Sequence, residues 1–208
     1  MFEFSSLLGI GIFVGILFVS IAFHETMHAY VAYKLGDDLA HSRGRINLNP
    51  LKHIDPILTI GLPVFMLLLG LPPILAAKPV PINPNRVSGE ELGMAAVGFA
   101  GPFTNLVLAT IGSVVLHALS LPVGVASDIL RLFVQLNVAL FVFNMLPLPP
   151  LDGSRVLYAV APAPVQELMD RLERMGLSIT LLMLFLLLPV LSPILVAGNN
   201  YILSILLP

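Results

Sequence analysis

The chain has 208 residues, 57% of them apolar and only 11% charged, with a net charge of −2. Soluble domains carry roughly 25% charged residues, so this composition is that of a polytopic membrane protein. There is no cysteine, which excludes disulfides and thiolate metal sites, and no basic run with interleaved aromatics, which excludes nucleic acid as a partner.

A membrane-crossing helix needs about 20 apolar residues. Runs of that kind occupy residues 4–33, 57–77, 92–119, 129–146 and 177–207. The first starts close to Met1 without the basic n-region and small-residue cleavage site of a signal peptide, so it is expected to stay in the mature protein. The connections at 34–56 and 78–91 are rich in Asp, Asn and Pro and lack helical periodicity. The third polar stretch, 150–176, contains Leu168, Leu172 and Met175 at helical spacing, which predicts an amphipathic surface helix over 165–175. The last run is long enough for one long helix or two short ones. Neither a repeat nor a linker is seen, so a single membrane-embedded domain over 1–208 is expected.

Lys34, Arg43, Arg45, Lys52, Lys78 and Arg86 lie between the first and third runs, and Arg155, Arg171 and Arg174 follow the fourth. Basic residues collect on the cytoplasmic side, so both flanks of 57–77 are assigned to that side, which a re-entrant hairpin explains. Pro63 and the Pro72-Pro73 pair suit a broken path.

His24-Glu25-Thr26-Met27-His28 falls inside the first run. An H-E-x-x-H spacing puts both imidazoles on one helical face, where they can share a zinc ion, with Glu25 in reach of the water that a metal activates. At this composition the pattern arises by chance in roughly 0.3% of chains, and an ionisable group in an apolar span is functional by default. A catalytic zinc takes three protein ligands. Asp152, in Asn144-Met-Leu-Pro-Leu-Pro-Pro-Leu-Asp152-Gly153, is the leading third ligand, expected on unwound chain after the prolines. Its alternative role is a helix cap. Asp55, beside His53, is the rival ligand. A different class of function, an ion or proton transporter built on the same His, Glu and Asp groups, accounts for buried charge but not for the zincin spacing.

The His24-Glu25-x-x-His28 motif, together with Asn144-x-x-Pro147-x-x-Pro150-x-Asp152-Gly153, resembles the site-2 protease family of intramembrane metalloproteases, peptidase M50. Gly98-x-x-Gly101-Pro102-x-x-Asn105 and Gly44-Arg45-x-x-Leu48-Asn49-Pro50 resemble its small prokaryotic branch, which lacks PDZ and CBS modules. The resemblance implies an all-α membrane core with a re-entrant segment and a short β or irregular loop after the first helix. It implies zinc held by His24, His28 and Asp152, with Glu25 as general base. Asn144 is then expected to be catalytic and substrate-binding, and Asn105 substrate-binding. The implied substrates are transmembrane proteins, cut from the cytoplasmic side of a prokaryotic cell membrane. Many members have Asp-Gly-Gly where this chain has Asp152-Gly153-Ser154. Parity gives a check: for His24, His28 and Asp152 to meet, the first and fourth runs must run in the same direction, so only one complete crossing separates them.

Overall fold

The computed structural model describes residues 6–207 apart from 56–58, 60 and 62–77. The expected re-entrant segment at 57–77 therefore lies almost wholly outside the described residues. Seven α-helices and no strand are found among those described: α1 (Leu7–Lys34), α2 (Leu39–Ser42), α3 (Glu90–Ala118), α4 (Val125–Asn144), α5 (Asp152–Val160), α6 (Ala163–Arg174) and α7 (Leu177–Leu206). Four of them, α1, α3, α4 and α7, are long and apolar enough to cross a membrane. The chain is an integral membrane protein.

Local chemistry fixes the helix ends. The Ser6 hydroxyl accepts from Gly9 N–H at 3.0 Å and caps α1. Glu90 and Glu91 open α3 where negative charge meets the positive end of the helix dipole. Ser127 bonds back to Gly124 and starts α4 four residues before the apolar run predicts. The last run forms one helix, with Pro189 and Pro193 inside it.

Buried polar pairs give the helix directions. Ser20 meets Asn137, and His24 meets Asn105, while His28 meets the Val97 carbonyl. As α1 advances from 24 to 28 its partners on α3 descend from 105 to 97, so these two helices are antiparallel. Asn105 on α3 meets Asn137 on α4, and Gly112, further along α3, faces Phe133, earlier on α4. Helices α3 and α4 are thus antiparallel as well, which leaves α1 and α4 parallel with α3 between them. The parity that a shared metal site demands is met.

The polar connections hold more order than their composition suggested. The stretch 34–56 contains α2 and a 3₁₀ turn at Pro50–Lys52, and a second such turn lies at Pro84–Arg86. Asp37 is fully buried, and its carboxylate accepts from the Leu39 and Asn83 amides. Arg45, 5% exposed, donates to the carbonyls of Lys52 and Lys78, and Lys78 N–H donates to the His53 carbonyl at 2.9 Å. Both flanks of the second apolar run are therefore bonded together at one place. In α6, the expected amphipathic helix, Met169 faces the protein while Leu168 is exposed, as is Met175 just past its end.

Candidate metal centre

Helix α1 delivers both histidines from one face, and each is 6% exposed. Their Nε2 atoms are 3.0 Å apart, and Asp152 Oδ2 stands 3.0 Å from His24 Nε2 and 3.3 Å from His28 Nε2. These are the residues among those described that converge as a metal-binding group. Asp152 does not come from unwound chain, as the prolines led us to expect. The break covers 145–151, and Asp152 is the first residue of α5. Leu151, not Asp152, occupies the cap position.

Each histidine presents its other nitrogen to an acceptor. His24 Nδ1 lies 2.6 Å from Asn105 Oδ1, and His28 Nδ1 lies 2.7 Å from the Val97 carbonyl. An amide or peptide oxygen can only accept, so both Nδ1 atoms carry hydrogen and both Nε2 lone pairs point inward, the arrangement that acceptors behind the ring impose on metal-bound histidine. Two lone pairs and a carboxylate oxygen at this distance repel unless a cation, metal ion or proton, stands among them. Tetrahedral zinc with bonds of about 2.0–2.1 Å sets its ligand atoms about 3.3 Å apart, close to the observed spacing. The donor set fits zinc.

Glycines make room for this. An ideal Cβ at Gly101 would fall on His28 Nε2 and 2.7 Å from His24 Nε2, so any other residue on α3 would intrude on the ligand nitrogens. At Gly98 a Cβ would lie 2.8 Å from the Arg155 Cβ and 3.0 Å from the Asp152 carbonyl, which lets α5 pack close. The Gly98-x-x-Gly101 pair thus brings α3 against both sources of ligands at once.

A cavity of about 470 Å³ opens onto the cluster, and its lining includes His24, Glu25, His28, Asn144, Asp152 and Arg155. Asn144 gives one N–H to the Leu140 carbonyl and faces the cavity from the end of α4. Asn105 does not line the cavity. It is fully buried behind His24, with its oxygen on the ring and its nitrogen on Asn137, so the expected contact with substrate is replaced by one with a ligand. Asp55 stays apart, exchanging bonds with Thr59.

Sequence reasoning missed the support beneath the motif. Thr26 and His53 Nε2 both donate to the Asn47 carbonyl, at 2.7 and 2.6 Å. Burial lowers the His53 pKa, its bond to Asn47 opposes that, and Arg45 adds to it. Burial likewise lowers the Arg45 pKa, while the Glu25 carboxylate pulls it up. The buried basic pair lies within the field of Glu25. A polar residue set between prolines in a loop carried no periodic signal that could have revealed this.

Comparison with known proteins follows the same lines. YwhC of Bacillus subtilis (strain 168), named as a candidate zinc metalloprotease, is 40% identical over 199 residues, covering 91% of this chain and 88% of its own. The chain belongs to peptidase family M50. The model of that family, Peptidase family M50, matches residues 112–187, a stretch that holds Asn144 and Asp152. Two proteins named Rip2, also candidate zinc metalloproteases, are 30% identical to this M50 chain over 182 residues. That of Mycolicibacterium smegmatis (strain ATCC 700084 / mc(2)155) covers 84% of this chain and 68% of its own, and that of Mycobacterium tuberculosis (strain ATCC 25618 / H37Rv) 85% and 68%. No solved structure matches. As a member of the family, the chain is a metalloprotease.

Proposed function

We propose that this chain is a zinc protease that cuts membrane-protein substrates within or next to their transmembrane segments. The observation that carries the reading is the convergence of His24 Nε2, His28 Nε2 and Asp152 Oδ2 within 3.3 Å, backed by acceptors on both Nδ1 atoms, among helices fit to cross a membrane. Zinc held there supplies a Lewis acid that acidifies water and polarises a peptide carbonyl.

Glu25, one residue from His24 and on the cavity wall, takes the proton from the attacking water and returns it to the leaving amide nitrogen, so no net proton is gained or lost. Asn144 has one N–H committed to Leu140 and a second to offer the substrate carbonyl, as a neutral donor suited to a dry site. Arg155 at the cavity wall is paired with Glu173 at 3.2 Å. A substrate helix hides its peptide groups in its own hydrogen bonds, so it must unwind locally before Asn144 can reach a carbonyl.

The six basic residues between α1 and α3 and the three after α4 support a reading in which the metal end of α1 faces the cytoplasmic side of the cell membrane. The whole span 1–208 acts as one membrane-embedded unit in this reading. The test is Glu25→Gln in purified protein with a helical membrane substrate: zinc content is expected to stay while hydrolysis slows by about 10² to 10⁴-fold. Unchanged cleavage would refute Glu25 as the base, and loss of ion flux in place of cleavage would favour a transporter.

A further inference from the structure

Behind His24 stands a file of three fully buried polar side chains, one from each of three spanning helices: Asn105 on α3, Asn137 on α4 and Ser20 on α1. Polar groups between apolar helices are rare and mark function or close packing. This file has a direction.

The Phe133 carbonyl can only accept, so the amide nitrogen of Asn137 must face it, at 2.9 Å. The same nitrogen gives its other hydrogen to Ser20 Oγ, also at 2.9 Å. Asn137 Oδ1 is then left to accept from Asn105 Nδ2 at 2.9 Å, which turns Asn105 Oδ1 toward His24 Nδ1 at 2.6 Å. Turning Asn105 over would set its oxygen against Asn137 Oδ1. Turning Asn137 over would set its oxygen against the Phe133 carbonyl. One backbone carbonyl on α4, passed through two amides, thus determines which nitrogen of a ring on α1 carries hydrogen.

We propose that Asn137, braced by Ser20 and the Phe133 carbonyl, is a positioning residue that acts through Asn105 to hold His24 in the Nδ1–H form with its Nε2 lone pair free for a metal. The proposal rests on the reading of His24, His28 and Asp152 as metal ligands. It gives Asn137 no contact with substrate, metal or water. It also makes the coupling conditional, because Asn137 matters only while the residue at 105 has two unlike ends.

Zinc affinity of the full chain in detergent, measured by chelator competition, tests this. Removing such an outer partner typically costs 10 to 100-fold in metal affinity, and Asn137→Ala is expected to weaken zinc by about tenfold or more. Asn105→Asp offers His24 an acceptor from either oxygen and needs no orienting neighbour, so the double variant Asn105→Asp/Asn137→Ala is expected to recover most of the loss. A packing role for Asn137 predicts no recovery. That result, or unchanged affinity in Asn137→Ala, overturns the proposal while leaving the metal reading in place. Wild-type protein that binds no zinc overturns both. Should the variants fail to fold, ¹⁵N-histidine NMR of the metal-free wild type decides alone: hydrogen on His24 Nδ1 is expected whether or not Nε2 also carries one, and an Nδ1 without hydrogen overturns the proposal.

Discussion

Helices α3 and α7 are nearly the same length, 29 and 30 residues, and both are apolar enough to cross a membrane, yet they do opposite work. In the most apolar stretch of α3, 44% of the residues are buried, against 11% in α7. Helix α3 is the less hydropathic of the two and carries Gly93, Gly98, Gly101, Asn105 and Gly112 on its buried face. It packs against α1, α4 and α5. Helix α7 is largely Leu, Ile and Val, and it docks at two places, Leu184 against Leu146 and Leu151, and Ile202, Leu203 and Leu206 against the cluster of Ala109, Val134 and Val138. Lipid tails are as apolar as leucine, so hydrophobicity finds the membrane but cannot bring helices together, whereas small residues let backbones approach. The helix that organises the site is therefore one that a hydropathy ranking places low.

The contrast is broken most forcefully at Gly101. Adding one methyl group there in Gly101→Ala is expected to weaken zinc by about 100-fold, the equivalent of the roughly 3 kcal/mol that severe overpacking costs. Leu186→Ala on α7, where the side chain is 66% exposed, removes three carbons and should leave zinc affinity unchanged. Similar losses from both, measured by chelator competition, would mean that the contrast between these helices has no bearing on the site.

Gly98→Ala sharpens the same point one turn away. Its Cβ meets α5 and not the ligand nitrogens themselves, so α5 can give by a few tenths of an ångström and carry Asp152 with it. A loss of about tenfold is expected, between the other two variants, in line with overpacking of roughly 1–2 kcal/mol.

How far the sequence foretold this divides along the same boundary. His24, Glu25, His28 and Asp152 were legible because ionisable groups in or beside apolar runs are costly and stand out. The four spanning helices were legible from run length, with ends wrong by two to four residues where Ser127, Glu90 and Glu91 extend a helix beyond its apolar part. Asn137 and Ser20 were not legible, since a lone polar residue on a helix can face any neighbour, and its partner here lies 117 positions away. The same holds for Gly101, whose necessity exists only when α1 and α3 are already packed. Asp152 was read as unwound because the three prolines at 147, 149 and 150 stop a helix visibly, whereas nothing local announces that α5 resumes at the very next opportunity.

Acid supplies the smallest effect. Burial holds the His53 pKa below its ordinary 6.5, so the unfolded chain binds that proton more tightly than the folded one. The stability His53 contributes is thus present above about pH 6.5 and is lost as pH falls below it. Zinc-loaded protein should show a slightly lower unfolding midpoint in mild acid, and His53→Gln should flatten that slope. Helix α7, with Tyr201 as its one titratable side chain, has no counterpart. A slope unaltered by His53→Gln would assign the acid sensitivity elsewhere.

The central claim is that residues from α1 and α5, brought together across α3, hold one metal ion. Zinc stoichiometry of purified Asp152→Ala beside wild type and Glu25→Gln tests it most directly. About one zinc per chain is expected for wild type and for Glu25→Gln, with a large loss in Asp152→Ala because two histidines alone form a weak site. Full zinc retention in Asp152→Ala would contradict the account and remove that carboxylate from the metal.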